Sequence, residues 1–367
     1  MFEFTPTPRV KRSPFYKATV RDGVKSFYPY NNMFLPTGYG NPEKEYWRLI
    51  NGVSMWDVGV QRQVELSGQD ASILAQILSP RDLTKLSIGQ SKYIAMCDHR
   101  GVIINDPILS MLDKKKYWFS IADSKVLFWA RAIAAERNLN VDITEPDVSP
   151  MAIQGPKSVN VISSLFGDWV KDLKYFYFKE TSLNGIPLLL VKSGWSKQGG
   201  FELYLMDGSK GDELWEIVKE AGKPWDIGPG YPNTTERIES GLLSWGGDTD
   251  DKTNPYEVRL GKYVDLNVPD DVVGIKSLRK IHKEGPKRHQ LGIILEGNEQ
   301  FKSHGLWYDI LSNEKKVGDM TCGIWSKRME KNIGLCLVSV KIKSGDEVCL
   351  SKENKIYKGT MTELPFI

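Results

Sequence analysis

The sequence predicts a mixed α+β protein built on antiparallel hairpins and ending in a small β-barrel or sandwich. Three observations lead there. Helix-periodic segments with N-cap residues alternate with strand-like runs joined by turns. No strand is followed by a glycine-rich turn that opens a helix, so a βαβ nucleotide-binding series is excluded. From residue 288 onward, short β-like runs with turns at "SNEKK", "KSGDE" and "KENK" replace the helix signals.

Taken in chain order, "GQDASILAQIL" reads as a helix capped by Asp70. In "KYIAMCDHRGVIINDPILSMLDKKKYWFSIAD", turns at Asp98–Gly101 and Asp113–Lys116 separate three strand-like runs. "ADSKVLFWARAIAAERN" predicts a helix starting at Asp123 or Ser124, and "QGPKSVNVISSLFG" one with Pro156 in its first turn. "IPLLLVKSG" and "GFELYL" form a hairpin across Gly199-Gly200. Phe201, Leu203 and Leu205 then face one way, and Glu202 and Tyr204 the other. "GDELWEIVKEAG", "TERIESGLLSWGG" and "VVGIKSLRKIHKEG" are further helices. A boundary near "HKEGPKRHQ" divides the chain into residues 1–284 and 285–367.

At 367 residues, 41% hydrophobic and 26% charged, the chain has the composition of a soluble globular protein with a substantial core. A formal charge of +3, from 49 basic and 46 acidic side chains, makes no case for nucleic acid. Six basic residues do gather early (Arg9, Lys11, Arg12, Lys17, Arg21, Lys25), as a solvated face or an anion-binding segment. Cys97, Cys322, Cys336 and Cys349 form no Cys-x-x-Cys pair, and His99, His282, His289 and His304 are scattered, so no metal site is expected. With no apolar run of membrane-spanning length and no signal-peptide core, the chain reads as cytoplasmic, with reduced thiols and no membrane partner.

Two carboxylates and a group of aromatics carry the chemical signal. Asp106 ends the apolar run "GVIIN" before Pro107, where burial would demand a partner; the alternative is a turn-forming residue. Glu202 sits in its strand either as a solvated residue or as a placed acceptor. Trp169, Tyr175, Phe176, Tyr177, Phe178, Trp195 and Tyr204 suit either an aromatic core or a site for an onium ion, which aromatic faces stabilise.

Six segments in order, "VSMWDVGVQRQVELSGQDA", "GVIINDPIL", "MAIQGP", "SGWSKQGGFELYL", "RIESGLLSWGGDTDDKTNPYE" and "VGDMTCGIWSKRMEKNIGL", resemble the aminomethyltransferase family, the T-protein of the glycine cleavage system and its relatives. The resemblance implies a three-lobed fold that binds tetrahydrofolate in a central cavity, with a C-terminal β-barrel. It also implies roles. Asp106 stands beside the folate's reactive nitrogen as the catalytic carboxylate, Glu202 on the pterin, and Tyr93, Phe176, Trp195 and Arg237 in the folate pocket. Where the family has Tyr-Thr-Gly-Glu the chain has Trp195-Ser196-Lys197-Gln198, Asn233 replaces an arginine, and Lys262 with Tyr263 stands near an expected tryptophan. This combination is most similar to a branch that moves a methyl group from dimethylsulfoniopropionate, a sulfonium zwitterion, to tetrahydrofolate. Trp169, Phe178, Trp195, Lys197 and Tyr204 are then the candidates for the sulfonium substrate. Aminomethyl transfer, or folate binding without catalysis, is the alternative, and a homodimer is left open.

Overall fold

The alternation in "GFELYL" is realised in the strand Gly200–Leu205, third in a six-stranded sheet. The order is Phe178–Leu183, Ile186–Val191, Gly200–Leu205, Ser149–Gln154, Ser54–Asp57 and Gly228–Gly230. All neighbours are antiparallel except the last pair. The hairpin expected from "IPLLLVKSG" is present, with Leu188 opposite Leu205 and Val191 opposite Glu202. Phe201, Leu203 and Leu205 pack on Leu188, Leu190, Met151 and Ile153. The same cluster takes in Val161 and Ile162 of the helix Ser158–Phe166 and Leu214, Trp215 and Val218 of the helix Gly211–Gly222. Burying each such side chain contributes about 1.5–3 kcal/mol, which anchors the strand.

The opposite face is covered as well. Tyr204, Leu189, Val191 and Phe178 pack with Trp118 of the strand Lys116–Ser120. That strand is central in a five-stranded sheet ordered Asp142–Thr144, Gln63–Ser67, Lys116–Ser120, Ile108–Asp113 and Gln90–Tyr93. Glu202 therefore lies in a strand buried on both sides, not on a solvated face.

The structure, a computed structural model, describes residues 7–301, 306–352 and 355–367. Both sheets belong to one compact unit, Met1–Leu74, Leu86–Lys92 and Pro107–Pro232, except for Tyr93 at the end of its strand. A second unit comprises Ala75–Lys85, Tyr93–Asp106 and Asn233–Ile367. Its closed barrel runs Arg288–Leu295, Lys331–Ser339, Lys315–Ser326, Tyr308–Ser312, Glu347–Lys352 and Lys355–Thr362 around Leu291, Ile293, Ile310, Met320, Val338 and Leu350. The "SNEKK" hairpin turns through Asn313 and Glu314 with φ of 48° and 62°. The "KENK" turn falls partly outside the described residues, as does His304.

Local capping departs from expectation in three places. Asp70 precedes the helix Ala71–Ile77, but its carboxylate accepts the Asn140 backbone N–H at 2.7 Å, so the side chain joins two loops and does not cap. The helix expected from Asp123 or Ser124 begins at Val126, because the Asp123 carboxylate accepts from Asn31 N–H at 2.8 Å. The segment "TERIESGLLSWGG" holds only a short helix, Thr234–Glu239, after which Gly241 takes φ of 61°. Asn233 caps it, accepting from Glu236 N–H at 3.0 Å. In the basic N-terminal segment, Arg21 pairs with Asp212 and Glu216, and Arg12 lies over the Tyr16 ring. None of the four cysteines is in a disulfide. Among the described residues no group of His, Cys, Asp and Glu is arranged to hold a metal, and no helix is long and apolar enough to cross a membrane.

Candidate functional sites: a carboxylate in each unit

In the first unit, the Ser193 hydroxyl donates to Glu202 Oε2. Glu202 is buried, and burial pushes its carboxyl up to about 6, with the Ser193 bond pulling the other way. Among the described residues Ser193 alone is seen donating to this carboxylate, which leaves Oε1 for a donor from a ligand. Tyr204, next but one on the same face, stacks against Trp118 with ring centroids 6.5 Å apart. Burial first, and the Glu202 charge second, hold its phenol neutral far above the ordinary range. Trp118 Nε1 in turn donates to Glu65 Oε2 at 2.7 Å.

The connection ahead of Glu202 is no phosphate cradle, since a strand follows its glycines. It is pinned by Gln154, whose Nε2 donates to the Ser193 carbonyl at 3.1 Å and whose Oε1 accepts from Ser196 Oγ at 2.8 Å. The amide fills the space beside both Gly194 and Gly200. A Cβ at either position would lie 2.0 or 2.2 Å from Gln154 Nε2.

In the second unit, Asp106 follows the strand Ile103–Asn105, and its Oδ2 accepts the Tyr93 hydroxyl at 2.7 Å. Burial pushes this carboxyl up to about 7; the Tyr93 bond lowers it and the nearby Asp248 charge raises it. Tyr93 stays a neutral donor, its phenol raised by burial and by Asp106. Its ring meets Tyr263 edge-on at 5.2 Å, and Arg81 lies over Tyr263 while Nη1 donates to the Tyr93 carbonyl at 3.0 Å. Tyr263, Arg81 and Lys262 line a cavity of about 450 Å³.

The other expected site residues are placed as follows. Phe176 takes φ of 61°, which turns its half-buried ring onto Tyr175 at 4.4 Å. Trp195 is half-buried on the connection ahead of Glu202, where Lys197 is exposed. Phe178 and Tyr204 belong to the packed cluster on the same face of the sheet as Glu202. Trp169 packs on the first unit's core with Lys179 Nζ 4.6 Å from its ring. Arg237 is buried in the second unit. Its Nη1 donates to Asp248 Oδ2 at 2.7 Å and to the Leu242 carbonyl at 3.2 Å, while Thr321 Oγ1 and Ser244 N–H bind the same aspartate. Ser193, Gln154, Tyr263 and Arg81 received no role from the sequence. The one available signal was Gln154, a polar residue ending the apolar run "MAI" ahead of Gly155.

Residues 15–268 match the GCVT N-terminal domain, and residues 288–367 match the glycine cleavage T-protein C-terminal barrel domain. The chain is 37% identical to a dimethylsulfoniopropionate demethylase of Ruegeria pomeroyi over 92% of each protein. It is 27% identical to an aminomethyltransferase of Caldanaerobacter subterraneus over 97% of this chain and 96% of that one. Its fold is similar to that of the glycine cleavage system aminomethyltransferase T from Bartonella henselae, with a TM-score of 0.86, 21% identity, and coverage of 97% and 98%.

Proposed function

Because the chain belongs to the glycine cleavage T-protein family, we propose that it transfers one methyl group from dimethylsulfoniopropionate to tetrahydrofolate, giving 5-methyltetrahydrofolate and methylthiopropionate. The choice of donor is supported by 37% identity to a dimethylsulfoniopropionate demethylase, against 27% to the aminomethyltransferase. The observation that carries the reading is two carboxylates, Glu202 buried and Asp106 half-buried, each accepting from one hydroxyl of the chain: Ser193 on Glu202 and Tyr93 on Asp106. Glu202 fits the pterin, whose adjacent amide and amino N–H groups suit a carboxylate acceptor with an oxygen to spare.

Tetrahydrofolate supplies the nitrogen lone pair that accepts the methyl group. The carbon–sulfur bond breaks with its electron pair left on sulfur, so a neutral thioether departs and no general acid is needed. The proton lost from the methylated nitrogen goes to Asp106, directly or through water. A carboxyl held at about 7 is ionised in about half the molecules at neutral pH, and its charge also favours the positive charge growing on that nitrogen. Tyr93 orients the carboxylate by fixing Oδ2. In this reading Trp195, Phe176, Phe178 and Tyr204 supply aromatic walls, Trp169 packs on the opposite face of the sheet, and Lys197 with the basic N-terminal segment serves the substrate carboxylate. Arg237 acts by holding the loop that carries Asp248.

The test incubates the purified protein with tetrahydrofolate and dimethylsulfoniopropionate and follows both products by mass-resolved chromatography. Equal amounts of 5-methyltetrahydrofolate and methylthiopropionate are expected, with Asp106→Asn lowering kcat and Glu202→Gln raising KM for the folate. Turnover of an aminomethyl-lipoyl donor in place of the sulfonium would overturn the assignment.

A further inference from the structure

Gln154 is fully buried at the end of the strand Ser149–Gln154, where the register sets it opposite Gly200. A buried primary amide is costly unless its groups are bound, and here each end is committed to the same connection. Its N–H holds the Ser193 carbonyl, and its oxygen holds the Ser196 hydroxyl. The side chain occupies the space that any Cβ on Gly194 or Gly200 would need, so the connection and the amide fit in one arrangement. A serine hydroxyl rotates freely about its own bond, and it serves Glu202 only if its backbone is held at the right place. Ser193 has that hold from Gln154 and gives its hydroxyl to Glu202 Oε2.

We propose that Gln154 is a positioning residue that acts through Ser193 to aim Glu202, so that Oε1 faces the ligand; its bearing on folate rests on the function proposed above. The chain of contacts predicts strong coupling, because removing either link disconnects the same carboxylate.

The test is a double-mutant cycle on Gln154→Met and Ser193→Ala, with Ser193→Thr as the variant that keeps the hydroxyl. Two quantities are read in each protein: the Kd for tetrahydrofolate by calorimetry, and the Glu202 titration midpoint by carboxyl ¹³C NMR without ligand. Each single substitution should weaken folate binding about tenfold, the double about tenfold and not a hundredfold, and Ser193→Thr should restore it. The Glu202 midpoint should rise from about 6 by the same amount in both single variants and no further in the double. Additive losses, or a folded Gln154→Met with unchanged midpoint, would overturn the positioning role. Absence of tetrahydrofolate binding by the wild type would instead refute the folate reading, and the ligand-free titration would then decide on Gln154 alone.

Discussion

Replacing Tyr93 with phenylalanine removes one oxygen and tests how Asp106 is tuned. The lost bond is a 2.7 Å O–H···O contact to a carboxylate. Hydrogen bonds to charged groups contribute about 1.5–3 kcal/mol, and one pKa unit corresponds to about 1.4 kcal/mol. Full loss would raise Asp106 by about one to two units, and because its surface is partly open the smaller figure applies. The carboxyl then moves from about 7 to about 8. Since the ionised form accepts the proton, rate rises with pH through this value, and the limb shifts to the alkaline side. At pH 7 the ionised fraction falls from about a half to about a tenth, so kcat/KM drops about fivefold and recovers near pH 9. The assay is the pH profile of kcat/KM, beside a ¹³C titration of Asp106 in the free protein. A limb that stays in place or moves to lower pH would refute the tuning role.

Three further outcomes follow from the geometry. Arg237→Ala leaves Asp248 charged and buried, and should cost about 3–5 kcal/mol of stability by denaturant titration; a loss near zero would show the pair to be dispensable. Gly200→Ala drives a Cβ into Gln154 and the Ile153 carbonyl, whereas Gly199→Ala meets no atom within 4 Å and suffers only φ of 78°. The first should therefore lower Tm more than the second, whose backbone strain is about 1–2 kcal/mol, and equal losses would contradict the packing. Asp57 is buried with Ser13 Oγ at 2.5 Å, and burial pushes it up to about 6. The folded state then holds this proton where the unfolded chain has released it. Wild-type stability should fall relative to Asp57→Asn by up to about 3 kcal/mol as pH rises from about 4 to about 6, with the difference constant above; parallel curves in thermal melts across that range would refute this.

How far the site was legible depended on how local its causes were. The alternation of Phe201, Leu203 and Leu205 with Glu202 and Tyr204 was readable because strand periodicity is a property of neighbouring residues. That Glu202 is buried was not, because Trp118, which helps cover its face, lies more than eighty positions away in another sheet. Asp70 and Asp123 look like caps in sequence, yet each carboxylate is taken by a backbone N–H from a distant loop. Asn233 stood out as a departure from the family and proved to be a helix cap, a local role that its type and position allowed from the start.

By itself the sequence determined the element types, the closing β-barrel, the two carboxylates of interest and the family, since turn chemistry, periodicity and ordered motifs are carried by short stretches of chain. Only the tertiary structure decided what those carboxylates are. Their ionisation depends first on desolvation, then on a hydroxyl for each and, for Asp106, on the Asp248 charge, and these arise when Tyr93 is brought back to Asp106 and Gln154 clamps Ser193 beside Glu202.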